Sequence, residues 1–216
     1  MYVRWAHRCH GSGGNIRTRT GSIDDGATTR LEGPRHDVSA NIVYDACMDP
    51  YTTIITRRSI RKYEDKGVDE TTREKLLAAA MQAPSAVDKQ PWHFVVIDDR
   101  AILSRIPHVH PYARMAAEAP LAILVCGDES LAHTPEYLPQ DCAAATENLL
   151  LAAHALGLGG VWCGVYSQAE REAGFRDLLS IPDHVVPFAL VALGYPDETK
   201  EQPRRYDPGR VHRNGW

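Results

Sequence analysis

The stretch Arg57-Arg58-Ser59-Ile60-Arg61 sets three guanidiniums and a hydroxyl within five residues. A guanidinium presents a planar fork of donors that matches phosphate oxygens, and Ser59 adds a hydroxyl donor, so the block reads as a grip for a phosphate dianion. One helix later comes Ala83-Pro84-Ser85-Ala86-Val87-Asp88-Lys89-Gln90-Pro91-Trp92-His93-Phe94. Pro84 and Pro91 stiffen that turn at both ends, leaving backbone amides and the Gln90 side chain to face a flat polar ring. Taken alone, an arginine cluster is more often a solvated basic face, and the loop could simply join a helix to a strand. In this order the two point to a bound phosphorylated cofactor.

The surrounding secondary structure follows from the sequence pattern. Residues 1–47 carry turn residues such as Gly11-Ser12-Gly13-Gly14 and Asp24-Asp25-Gly26 without any apolar period, and are expected to be a disordered N-terminal extension. Met48 is a candidate natural start, which would make the extension non-native. Residues 48–216 are expected to form one domain. A short helix is predicted from Tyr51 to about Arg58 with Ile54 and Ile55 facing a core. Asp69 or Thr71 caps the next helix, the latter with Glu74 as a capping box; Leu76, Leu77, Ala80 and Met81 are expected to bury, and Pro84 ends the helix.

His93–Ile97 and Leu121–Val125 are short, β-branched apolar runs of the kind found in central strands covered on both faces. Gln140–Leu156 is the longest predicted helix. Its polar residues Gln140, Asp141, Glu147, Asn148 and His154 form a narrow stripe, so the rest must be covered by a core or a second subunit, with a dimer interface favoured. Asp141 and His154 are expected to make interface hydrogen bonds. Gly157 reads as a helix C-cap, Val161–Val165 and Phe188–Leu193 as strands, and a polar tail holds Arg204 and Arg205.

Other chemistries find less support. The glycines at 157, 159 and 160 run from helix into strand, the reverse of a dinucleotide fingerprint, and Gly13-Gly14 lacks the Gly-Lys-Ser/Thr of a P-loop. His108-x-His110 with His133 lacks a further ligand at suitable spacing, so no metal site is expected. Five cysteines without a CxxC pair give no disulfide framework, and Cys163 reads as a small buried residue. A net charge of -4 argues against nucleic-acid or anionic-membrane partners, and no apolar run reaches bilayer length. A cytoplasmic protein is the expectation.

With the Arg57–Arg61 block, Pro84-Ser85 through Gln90-Pro91-Trp92, Asn148-Leu149-Leu150-Leu151-Ala152-Ala153 before Gly157-Leu158-Gly159, and Val161-Trp162 followed by Gly164, the chain resembles the nitroreductase family of FMN-dependent oxidoreductases. The resemblance covers about Met48 to Arg210. It implies an α+β fold, a central mostly antiparallel sheet surrounded by helices, in an intertwined homodimer with FMN at the subunit interface.

By the same resemblance Arg57, Arg58, Ser59 and Arg61 grip the FMN phosphate and ribityl chain, and Arg204 or Arg205, with Arg205 the better match, supplies a late basic contact. Pro84, Ser85, Asp88 and Gln90 form the flavin-facing loop, often lent by the other subunit, and Val161, Trp162, Cys163 and Gly164 form the wall by the ring. Asp88 stands where the family commonly has Asn; a carboxylate there would disfavour anionic reduced flavin. The implied activity is ping-pong transfer from NADH or NADPH through FMN to a nitroaromatic, a quinone or a similar small acceptor, with no obligatory catalytic side chain. The alternatives are a non-catalytic FMN-binding or sensing protein and a specialised flavin enzyme of the same fold, a dehalogenase or a flavin-fragmenting enzyme.

Overall fold

The computed structural model describes residues 48–216; the extension expected over 1–47 lies outside them. In chain order the elements are α1 (Pro50–Thr56), α2 (Glu70–Met81), β1 (Trp92–Ile97), α3 (Arg100–Leu103), α4 (Ile106–Val109), β2 (Leu121–Asp128), α5 (Leu138–Ala155), β3 (Gly159–Gly164), α6 (Ala169–Leu179) and β4 (Val185–Gly194). The strands form a four-stranded sheet of order β1-β2-β4-β3, antiparallel at every neighbouring pair. The α+β expectation therefore holds.

Local chemistry sets the helix ends. Asp49 accepts from the Thr52 amide with Pro50 in the first turn of α1, where a missing N–H costs nothing. Asp69 caps α2, accepting from the Thr72 amide at 2.9 Å and its hydroxyl at 2.7 Å, so Asp69 rather than Thr71 supplies the cap. At the end of α5, Gly157 takes φ +78° while Leu158 N–H donates to Ala153 O and Gly157 N–H to His154 O, a reversal that a Cβ would strain.

β2 and β4 are buried along their whole length and divide two cores. On one face Leu121, Ile123, Val125, Val191 and Leu193 pack with Leu76 and Ala80 of α2 and with Leu149, Leu150 and Ala153 of α5. On the other, Ala122, Leu124, Cys126, Leu190 and Ala192 meet Leu103 of α3, Ile106 of α4 and Phe175 of α6. Among the described residues no helix is long and apolar enough to cross a membrane.

Three expectations are corrected. β1 is an edge strand with His93 and Val96 exposed, because only β2 pairs with it. Ile54 and Ile55 are 59% and 38% exposed, since α1 is seven residues long and turns only Thr53 fully inward. Met81, 47% exposed, follows the fully buried Ala80 by one residue and so is turned about 100° away from the side of α2 that packs. The apolar circumference of α5 is largely covered within the chain: Gln140 alone among its residues is exposed.

Candidate functional site

The arginine block follows α1 directly and is laid against the outer edge of β3. Ile60 N–H donates to Gly160 O at 3.1 Å, and Ser59 pairs with Gly160 in a parallel bridge. Gly159 permits this contact, because a Cβ there would lie 2.6 Å from Cβ of Ile60. The block is thus an extra strand segment on the sheet, and its side chains leave it in two directions.

Arg57 and Arg58 open onto a groove of about 860 Å³ shared with Arg204 and Arg205 and walled by Tyr51, Ile54, Ile55, Glu147 and Tyr206. Both tail arginines reach it. Arg57 also pairs with Glu147 at 3.5 Å. Arg58 spends much of its fork on backbone carbonyls, Nε to Glu201 O at 3.0 Å and Nη2 to Ile55 O at 3.1 Å, with Nη1 on Arg57 O. It therefore anchors the tail as well as facing the groove. His154, bonded to Thr56 Oγ1 at 2.8 Å, is pushed toward its neutral form by burial and then by Arg57 and Arg58.

Arg61 goes elsewhere. It lines a cavity of about 260 Å³ with Val161, Trp162, Cys163 and Gly164, joined by His110, Tyr112, Met115 and Arg171. Gly160 and Gly164 direct their carbonyls outward, to Ile60 and to the His110 and Arg171 donors respectively. By the two-residue period of a strand, Trp162 between them directs its N–H and C=O to that same edge, where no β-strand pairs with it. A planar heterocycle with a donor and an acceptor on one edge suits such a peptide.

His110 is 2% exposed. Its Nε2 lies 2.9 Å from Gly164 O, and a carbonyl can only accept, so Nε2 carries the proton; Nδ1 has no partner among the described residues. Burial, and then Arg171, lower its pKa and keep the ring neutral, against the Gly164 bond. Burial pushes the Cys163 thiol up to about 11 although Arg61 and Arg171 pull it back, which makes it a wall residue and no nucleophile.

The Pro84–Gln90 loop lines neither cavity. It is held at the start of α5, where Asp141 Oδ1 accepts from Ala86 N–H at 2.9 Å. Ser85 Oγ accepts from Gln90 N–H and Asp88 Oδ1 from the Gln90 side-chain amide, each at 2.9 Å. Val87, Asp88 and Gln90 all adopt positive φ. Asp141 and His154, which tie the loop and the end of α1 to the same helix, stand about 20 Å apart at 1.5 Å rise per residue. Asp141 and His154 bond within the chain.

Sequence reasoning passed over Tyr112 and Arg171, and weighed His110 only as a metal ligand. Their meeting with Gly164 depends on α4, α6 and β3 packing together, and no local spacing signals that.

A family model described as "Nitroreductase family" matches residues 54–107 and 107–195. The chain belongs to the nitroreductase family. The match takes in the arginine block, the Pro84–Gln90 loop and β3, and stops before Arg204 and Arg205. A Methanothermobacter thermautotrophicus protein named "Putative NADH dehydrogenase/NAD(P)H nitroreductase" is 52% identical over 169 residues, 78% of this chain and 88% of that protein. A solved nitroreductase-fold structure from Desulfovibrio desulfuricans in complex with FMN is 30% identical with TM-score 0.69, covering 78% of this chain and 98% of that one. The 5,6-dimethylbenzimidazole synthase of Rhodospirillum rubrum is 30% identical over 189 residues, 74% of this chain and 85% of that protein.

Proposed function

We propose that this nitroreductase-family protein is an FMN-dependent oxidoreductase that takes reducing equivalents from NADH or NADPH and passes them to a small electron-poor acceptor such as a nitroaromatic or a quinone. The observation that carries this reading is the pairing of Ser59 and Ile60 with Gly160, which joins the arginine block to the β3 wall in one piece. A ligand with a phosphate at one end and a flat polar ring at the other fits that piece.

Arg57, Arg204 and Arg205 would hold the phosphate, with Arg58 contributing the donors left over from anchoring the tail. Ser59 would donate to the ribityl chain. Arg61 and the Trp162 peptide would bond the ring edge, and Val161, Cys163 and Gly164 would shield it from water. FMN, when bound, supplies the two-electron chemistry, so no side-chain nucleophile or acid is needed.

The Pro84–Gln90 loop would come from the partner subunit of a homodimer, since each chain keeps its own loop out of both cavities. Exposed Tyr51, Ile54 and Tyr206, at 59–82% exposure, supply apolar surface for that partner to cover. Asp88 would meet the ring with its charge already bonded to the Gln90 amide, softening the effect of a carboxylate where the family commonly has Asn. The relationship to a 5,6-dimethylbenzimidazole synthase keeps a flavin-fragmenting activity as the second reading.

The test is the purified protein saturated with FMN and freed of excess by gel filtration. A yellow dimer bleached anaerobically by NADH or NADPH, and recoloured by a nitroaromatic or a quinone, is the expected result. Flavin that no nicotinamide bleaches would sink the reductase in favour of an FMN-binding protein. Loss of flavin itself, with ring fragments appearing in its place, would favour the second reading.

A further inference from the structure

Beside the proposed ring site, the cavity that contains Arg61 has a corner that positioning FMN does not require. It is formed by Arg171 of α6 and Tyr112 of the α4–β2 connection. Arg171 Nη1 donates to Gly164 O at 2.9 Å, and its guanidinium carbon stands 5.5 Å from the centre of the Tyr112 ring. Tyr112 is 76% exposed and forms the outer rim, with His110 edge-on behind it at 6.3 Å between ring centres.

The charge balance at this corner is one-sided. Among the described residues no carboxylate lines the cavity, and neither Arg61 nor Arg171 forms an ion pair. Glu198, which accepts from the Arg61 backbone N–H, is paired with Lys200 at 2.7 Å. His110 donates to Gly164 and is held neutral, so it adds no charge. Arg171 is pinned through one nitrogen and stacked on an aromatic face, which leaves the rest of its fork pre-organised toward the cavity.

Resting on the functional reading above, we propose that the Arg171–Tyr112 corner receives an anionic group, a carboxylate, sulfonate or phosphate, carried by the substrate that lies against the flavin. The group can belong to the electron acceptor or be the 2′-phosphate of NADPH, and the two sources separate in one kinetic design. On the FMN-loaded protein, kcat/KM is measured for 4-nitrobenzoate and nitrobenzene with one nicotinamide, and for NADPH and NADH with one neutral acceptor. Each pair is measured at low and high salt, in the wild type, Arg171→Gln and Arg171→Lys.

An anionic acceptor makes the nitrobenzoate-to-nitrobenzene ratio fall about tenfold in Arg171→Gln, the size expected of one charge-assisted bond partly open to water. Arg171→Lys recovers part of it, and added salt shrinks the wild-type preference. A fall confined to the NADPH-to-NADH ratio assigns the corner to the 2′-phosphate. If neither ratio moves while FMN stays bound, the proposal is overturned. A protein that never holds FMN defeats the functional reading instead; the corner is then judged by 4-nitrobenzoate quenching of tryptophan fluorescence, and quenching indifferent to Arg171 overturns it.

Discussion

Val87 lies in the left-handed region, at φ 53° and ψ 28°, and its side chain is 70% exposed. A β-branched residue there pays about 1–3 kcal/mol in backbone strain, and an exposed side chain returns little packing energy. Val87→Gly removes the strain and adds about 0.5–1 kcal/mol of unfolded-state entropy, for a net stabilisation of about 1 kcal/mol. In a chain of this size that is a rise of about 2–4 °C in Tm. Thermal unfolding at fixed protein and FMN concentrations reads it directly. Val87→Ala is the control, since alanine shortens the side chain without relieving φ, and it should gain less than glycine. A Val87→Gly protein that melts below the wild type would rule out a strained, uncovered Val87. It would mean that the side chain is covered in the working assembly or that the backbone is held there at no cost.

Four further outcomes are expected. Asp141→Ala leaves the partly buried Ala86 N–H without its acceptor and should lower Tm by about 2–12 °C, from about 1–3 kcal/mol for an unsatisfied donor, and weaken FMN binding in a titration. Gly159→Ala drives a Cβ into Ile60, so the arginine block should lift from β3, with about 1–3 kcal/mol lost in denaturant unfolding and flavin shed on gel filtration. Burial would raise the Asp128 pKa, but the Ser130 donors together with His93 and His184 outweigh it and lower the value below 3.8. Its contribution is present above that ordinary value and lost as pH falls through the folded one, so acid unfolding below about pH 4 should be steeper in wild type than in Asp128→Asn. With its thiol near 11, Cys163 should resist iodoacetamide at pH 8 in the folded protein and react on unfolding, as followed by mass spectrometry.

The parts of this molecule that were legible in the sequence are those whose signal is local. The unbroken apolar runs of β2 and β4 announce strands buried on both faces, the cap at Asp69 marks the start of α2, and Gly157 marks the end of α5 with the backbone conformation that only glycine takes readily. β1 has the same composition as a central strand, and only the pairing order makes it an edge. Ile54, Ile55 and Met81 are apolar enough to bury, but their exposure depends on how α1 and α2 end against α5. At the candidate site, the arginine block and the loop could be read as motifs. The division of that block into a groove pair and a cavity-facing Arg61 could not, because it arises from the bridge to Gly160 across 100 residues of intervening chain. Arg171 and Tyr112 carry no motif at all; they meet only because α6 packs back over the end of β3.

The hold that Arg58 keeps on Glu201 O and on the carbonyls at the end of α1 also bears on how fast a ligand is captured. Everything from Glu201 onward is exposed, and a segment fastened no further along than Glu198, on the Arg61 N–H, would sweep Arg204 and Arg205 through a wider volume. Fastened at residue 201, they sit three and four links from a fixed point, which raises their effective concentration at the groove without any further contact. Cutting that tether with Arg58→Ala would dilute two cations that the substitution never touches.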